Sequence, residues 1–359
     1  MVERELERVK EREPQQDQYD QTLQWKIDKT RQRKEGKVIL KAEEVPWQMS
    51  RHGYGKNYIG AQNWDQLAAP GWGMSRSSHV VEQRGVHSHT GGGVLLYILE
   101  GRGYTVNNGT RYDWEAGDLE VIPVTPTENV HYHVNLNPGK PCGRVRFHHW
   151  AFEEPISYET RQVQDAPDWK GPKNEAVYRP TDFVPESATL KGMDIKIDGK
   201  PKDLLDDIYF RRNRWREHLS TARLVVKGKE LPLENNRMGL YRWYLHPAIP
   251  DLACRHFLFW SQEIPPGSRS GKQKQMGGRI HFVIEGHGYT ILDGKRYDWG
   301  PEDVLMLPIK TGGCIFQHFN ADSHQPAKLV ACELNWLDTL GPDLACGLEQ
   351  LENSPEYKG

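Results

Sequence analysis

Hydrophobic and polar residues alternate with period two over short stretches along most of this chain, and turn-forming residues separate the stretches. Asn107-Asn108-Gly109 and Leu292-Asp293-Gly294 each join two such alternating segments, a pattern that predicts tight hairpins with positive φ at the glycine. The Glu-Gly-x-Gly-Tyr-Thr stretches beginning at Glu100 and Glu285 place glycines where a strand must bend or approach another closely. Helical periodicity is confined to two charged, tryptophan-containing segments. The first is residues 16–33, where 19–33 is expected to be helical with Leu23, Trp25 and Ile27 partly buried; the second is residues 201–221. The first 36 residues are polar, with their helix formers broken at Pro14, and read as an arm more than a core element. Many short antiparallel strands without intervening helices indicate an all-β fold, a sandwich or jelly-roll barrel.

The pattern occurs twice. Residues 100–124 align without gaps on residues 285–309, an offset of 185, and twelve of the 25 positions are identical, where ordinary amino-acid usage would give roughly one or two. Upstream, Val38-Ile39-Leu40-Lys41 and the segment through Arg51 and Gly53 match Leu224-Val225-Val226-Lys227 and the segment through Arg237 and Gly239 at nearly the same offset. The chain is therefore a duplication: an arm and β-domain over residues 1–165, a linker rich in Pro, Asp and Lys over 166–202, and a second arm and β-domain over 203–359.

At 359 residues the chain is long enough for two cores, and a formal net charge of −2 offers no broad basic field for nucleic acid or an anionic membrane. Twelve Trp and fifteen Tyr suit β-structure and aromatic-lined pockets. The five cysteines are an odd number without CxxC spacing, which fits buried free thiols in a reducing compartment. The charged N-terminus is unlike a signal peptide, and the longest apolar runs, such as 94–99, are too short to span a bilayer. A cytoplasmic location is expected.

Candidate chemistry concentrates between Gly85 and Asn135. His87 and His89, spaced i, i+2, share one face of a strand, and His131 follows about forty residues later, after a hairpin and another strand. Three imidazoles able to reach one point form a candidate metal site.

These residues resemble the cupin superfamily. Gly85, His87, His89 and Gly101 match its first motif; Gly117-Asp118, Pro123 or Pro126, His131 and Asn135 match its second. Because both halves share the pattern, the chain looks like a bicupin: two tandem cupin jelly-roll (double-stranded β-helix) barrels with helical arms. Within bicupins it is most similar to the gentisate 1,2-dioxygenase group, whose members act on gentisate, salicylates and 1-hydroxy-2-naphthoate. That resemblance implies an Fe(II)-dependent, extradiol-type ring-cleaving dioxygenase with Fe(II) on His87, His89 and His131. It implies a small aromatic ortho-hydroxy acid and O2 as reactants and a homo-oligomer, a tetramer or larger. A metal-dependent lyase, isomerase or decarboxylase, or a non-enzymatic ligand-binding bicupin, are the alternatives.

At the 185 offset His87, His89 and His131 fall opposite Lys272, Lys274 and Phe316, so all three candidate ligands are missing from the second copy together. His133 and Asn135 fall opposite His318 and Asn320 and persist. Loss as a unit is the behaviour expected of ligands to one ion. His133 is then expected to make a structural hydrogen bond, with a fourth-ligand role as the alternative. The second barrel is expected to be metal-free. Further candidates around the metal are Arg84, opposite Arg269, which could meet a substrate carboxylate or be structural, and Tyr97, opposite Phe282, which could point into the pocket or pack in the core. Arg144, Arg146 and His148 alternate along one strand and form either a solvated face or an inward wall for an anionic substrate.

Overall fold

The computed structural model describes residues 17–89, 93–125, 128–153, 156, 160–172 and 192–359. The break at Pro14, the loop residues Thr90 and Gly92, the alternative motif proline Pro126 and the middle of the linker, 173–191, lie outside them. Among the described residues every paired strand is antiparallel, and the strands form four sheets, two of seven strands and two of five. One seven-stranded and one five-stranded sheet make up each barrel, a double jelly roll as expected. The hairpin turns are of the expected kind, with positive φ at Asn108 and Gly109 and at Asp293 and Gly294. Gly103 and Gly288 are obligatory for a packing reason: a Cβ on either would lie 2.3 Å from the indole of Trp114 or Trp299 and against a neighbouring carbonyl.

Each half donates its leading strand to the other. Ile39–Leu40 pairs with Val304–Met306 of the second barrel, and Val225–Val226 pairs with Leu119–Ile122 of the first. The aspartate of each Gly/Glu-Asp turn holds the incoming strand. Asp303 accepts from Lys41 Nζ at 2.7 Å and from the Ala42 amide at 2.8 Å, and Asp118 accepts from Lys227 Nζ at 2.7 Å and the Gly228 amide at 3.0 Å. Both carboxylates are buried, so these charge-assisted bonds form away from water.

The principal core lies between the barrels. Phe259 stacks on Tyr97 at 5.9 Å and receives Phe147 and Tyr244 edge-on. The contacts obey the duplication: Tyr97 meets Tyr244 as its counterpart Phe282 meets Tyr58. The arm helices run over Gln18–Glu35 and Leu204–Thr221, begun by Asp17 and Asp203 side chains that accept from the Tyr19 and Asp206 amides. Leu23, Trp25 and Ile27 are 38%, 60% and 51% exposed, so the expectation of partial burial fails for this arm: its apolar residues do not form one stripe facing a sheet. All five cysteines are free, four of them buried.

Asp118→Ala and Asp303→Ala are each expected to cost about 2–3 kcal/mol. Urea denaturation should show a single transition for both, displaced to a similar extent. Two separated transitions would contradict an interlocked pair of barrels.

Candidate metal centre

The first barrel's five-stranded sheet places Val86–His89 beside Asn129–Asn135, with His131 directly opposite His87 and Asn129 opposite His89. Alternation then turns His87, His89 and His131 to one face, and their ligand nitrogens lie within 4.8 Å of one another. His89 and His131 are each 2% exposed. Burial holds the His87 and His89 imidazoles well below their usual range and His131 at about 4, so all three are neutral at pH 7. The His131 Nδ1 lies 3.2 Å from the Asn129 carbonyl; donation there leaves the Nε2 lone pair for a metal. Three neutral imidazoles with no carboxylate in the set fit a borderline divalent ion such as Fe(II) and leave it its full charge.

Pairing in the sheets corrects the correspondence between the two copies. Phe316, the counterpart of His131, is opposite Gln273, as His131 is opposite His87. A Cβ on Gly271 would meet Arg237 O and Gln350 Nε2, as one on Gly85 meets Arg51 O and Gln162 Nε2. Over this strand the offset is therefore 186, and it returns to 185 beyond the following loop, which is one residue longer in the first copy. The true counterparts of His87 and His89 are Gln273 and Gln275, and Lys274 matches Ser88. Lys272 is drawn outward to Glu352 at 3.1 Å. The ligands are still absent as a set, but amides and a phenyl ring replace them instead of repelling lysines. Arg84 also changes partner: its amide bonds the His133 carbonyl as the Ser270 amide bonds that of His318, so the arginine belongs to the first barrel alone.

His133 sits beside His131, ring centroids 5.6 Å apart. Its Nδ1 is 2.7 Å from Thr105 Oγ1, which accepts from Trp114 Nε1 at 3.0 Å. The same His-Thr-Trp chain recurs in the second barrel through His318, Thr290 and Trp299 at 2.7 and 3.0 Å, which supports a structural role. Asn135 and Asn320 likewise make matching bonds to backbone carbonyls, Lys140 O and Gln325 O. Tyr97 is not brought to the histidines. It lies on the opposite face of its strand, in the core between the barrels, because residues 95 and 97 alternate with the inward positions 96 and 98.

Arg144 and His148 are buried and Arg146 partly so, which makes their strand an inward wall. All three guanidinium nitrogens of Arg144 are buried without a hydrogen-bond partner among the described residues, over the Trp114 ring at 5.0 Å. Arg84, 4% exposed and backed by Gly53, is held down to about 9 by burial and by Arg144. Two contributors escaped the sequence. Glu120 is buried with Oε2 3.8 Å from His133 Nδ1, and His52 meets the His87 ring edge-on at 4.2 Å. Both were legible by register, because Leu305 and Met238 stand in their places. The same comparison sets Leu329, Ala331 and Glu333 against Arg144, Arg146 and His148, and Ile264 against the buried His79.

Two interlocked jelly rolls, with three histidines on adjacent strands of one of them, give the chain the bicupin fold. No family model matches the chain. It is 32% identical over 77 residues to a 5-aminosalicylate 1,2-dioxygenase from Comamonas sp, a match covering 21% of this chain and 18% of that protein. A mutant of salicylate 1,2-dioxygenase from Pseudoaminobacter salicylatoxidans in complex with gentisate is similar in structure, with a TM-score of 0.52 and 12% identity over 95% of this chain and 97% of that one. Oxalate decarboxylase from Bacillus subtilis is similar with a TM-score of 0.55 and 13% identity, over 88% of this chain and 78% of that one. At such identities the structural likeness is one of fold. No helix among the described residues is long and apolar enough to cross a membrane.

Burial pushes the Glu120 carboxyl up to about 7. A raised carboxyl favours folding while protonated, so this contribution is present below the unfolded pKa near 4.5 and fades as pH rises through 7. Glu120→Gln should therefore gain stability relative to the parent between pH 5 and pH 8, by on the order of 3 kcal/mol at the upper end. Urea midpoints at the two pH values measure it, and a difference that does not change with pH would refute the buried-acid assignment.

Proposed function

We propose that this protein is an Fe(II)-dependent dioxygenase that cleaves the ring of an aromatic ortho-hydroxy carboxylate of the salicylate, gentisate or 1-hydroxy-2-naphthoate type. The observation that carries this reading is the composition of the first barrel's interior: a three-histidine cluster beside a buried arginine whose guanidinium has no hydrogen-bond partner among the described residues. A buried guanidinium is costly unless an anion meets it, and the second barrel, without the histidines, has leucine in its place. Glu120 and Arg144 are replaced as a pair by Leu305 and Leu329, so the charged lining belongs with the histidines.

In this reading His87, His89 and His131 hold the metal, their neutral state set by burial. When bound, Fe(II) supplies chelation of the carboxylate and ortho-hydroxyl oxygens and activation of O2. Arg144 Nη atoms orient the substrate carboxylate, and Arg84 and Arg146 add positive charge that favours a dianion. The Trp114 ring fixes the Arg144 guanidinium in position through the cation–π contact. The apolar residues Val94, Leu96 and Ile122 exclude water and offer a face for the ring. The reaction breaks the bond between the carboxyl-bearing and hydroxyl-bearing ring carbons, and both atoms of O2 enter the product. The match to a 5-aminosalicylate dioxygenase supports the substrate class. Homo-oligomerisation and a cytoplasmic setting belong to the same proposal.

Oxygen-electrode assay of Fe(II)-loaded protein should show stoichiometric uptake with at least one of gentisate, salicylate, 5-aminosalicylate or 1-hydroxy-2-naphthoate. Turnover of a small acid without oxygen uptake would favour decarboxylase or lyase chemistry instead. His131→Ala is expected to lose iron and activity together, by metal analysis and uptake, whereas His318→Ala should keep its iron. Arg144→Leu should retain iron but raise KM roughly ten- to a hundredfold, the effect of losing a charge-assisted bond. A variant His131→Ala with full iron and turnover would sink the proposal.

A further inference from the structure

We propose that the second barrel holds a binding site of its own, for a planar aromatic anion, separate from the histidine cluster. A cavity of about 650 Å³ opens at this barrel, within the size range of small-molecule sites. Its wall includes Gln273 and Gln275, the residues that stand where His87 and His89 stand in the first barrel. The second copy thus lacks the histidine cluster yet has a hollow beside the same strand.

The lining defines the ligand. Trp25 and Trp64 from the first half, and Trp243 and Trp336 from the second, supply four indoles around a largely apolar volume. Flat rings offer their faces to flat rings. Charge selects the sign: Lys29, Arg33 and Arg279 line the cavity against one acid, Glu333, which is already bound by Arg279 at 2.8 Å. Lys29 and Arg33 are then in excess. Gln275, on the cavity wall, is 8% exposed, and its Nε2 has no hydrogen-bond partner among the described residues, so the strand that carries ligand nitrogens in the first barrel carries here an amide that can turn a donor to a ligand. An aromatic carboxylate meets all three features: ring to indoles, carboxylate to Lys29 and Arg33, oxygen to Gln275.

The arm helix Gln18–Glu35 brings Trp25, Lys29 and Arg33 to this mouth at intervals of four residues, which puts them on one side of the helix. This gives the arm's exposed tryptophan a use that core packing does not. The site needs no metal and does not depend on the dioxygenase reading.

The test is isothermal titration calorimetry of the full-length protein with 2-naphthoate, which has the aromatic acid but lacks the ortho-hydroxyl needed for chelation. One 2-naphthoate per chain is expected in Arg144→Leu, the variant that removes the carboxylate partner in the histidine barrel, with an affinity that His131→Ala also leaves unchanged. Gln275→Glu, which sets a carboxylate against the anion, should weaken binding about tenfold or more, and Trp25→Ala, at an exposed position that should not disturb folding, several-fold. 2-Naphthamide should bind much more weakly than the acid. The proposal is overturned by absence of binding, by binding lost in Arg144→Leu but kept in Gln275→Glu, or by equal affinity for the amide.

Discussion

The reciprocal gift of a leading strand is the constraint on which the molecule depends. An edge strand of two residues has almost no stability of its own; Val225–Val226 and Ile39–Leu40 stay in place because Asp118 and Asp303 accept from the side chain of the lysine that follows each strand and from the amide of the next residue, Gly228 or Ala42. The exchange also ties the barrels across a core built from Tyr97, Phe147, Tyr244 and Phe259. The strand that receives Val225, Leu119–Ile122, is the one that carries Glu120 inward. The interlock and the interior of the first barrel are thus built on the same few residues.

Within that shared frame the two barrels differ in which interior positions are polar: Val94 and Leu96 of the first stand opposite the buried Arg279 and His281 of the second, while most of the remaining polar positions run the other way. His87, His89, His131, Glu120, Arg144 and Arg146 face into the first; Gln273, Gln275, Phe316, Leu305, Leu329 and Ala331 hold the same places in the second. What did not change is equally informative. The His-Thr-Trp chain and the asparagine that ties down a loop occur in both barrels with nearly the same distances, so they serve the fold whatever the interior contains. Residues that persist without the metal cluster are separated from those that vanish with it by one molecule's comparison with itself.

The second barrel is not closed by these differences. Leu305, Leu329 and Ala331 stand where Glu120, Arg144 and Arg146 stand in the first barrel, and tryptophans of both halves line a space at its mouth. One barrel then offers directional ligands and unpaired positive charge, the other flat aromatic surface and an amide.

Much of this was legible in the chain itself. Period-two alternation, the two Gly-containing hairpins and the 25-residue repeat established an all-β duplication, because strand geometry turns alternate residues to opposite faces whatever surrounds them. The spacing of His87 and His89 follows from the same rule, and so does their convergence with His131 once the strands pair. Three matters required the folded molecule. Strand exchange between the halves depends on contacts between residues some 260 positions apart, such as Lys41 and Asp303, which local pattern does not encode. The register of one strand shifted by a single residue, and because a one-residue slip turns every side chain to the other face, it moved Arg84 from a repeated residue to one unique to the histidine barrel. The face of Tyr97, and the inward turn of Arg144, were decided by which side of each strand met the other barrel. The sequence by itself determined periodicity, duplication and the candidate ligands; tertiary structure decided faces, partners and register, since these are set by contacts between segments far apart in the chain.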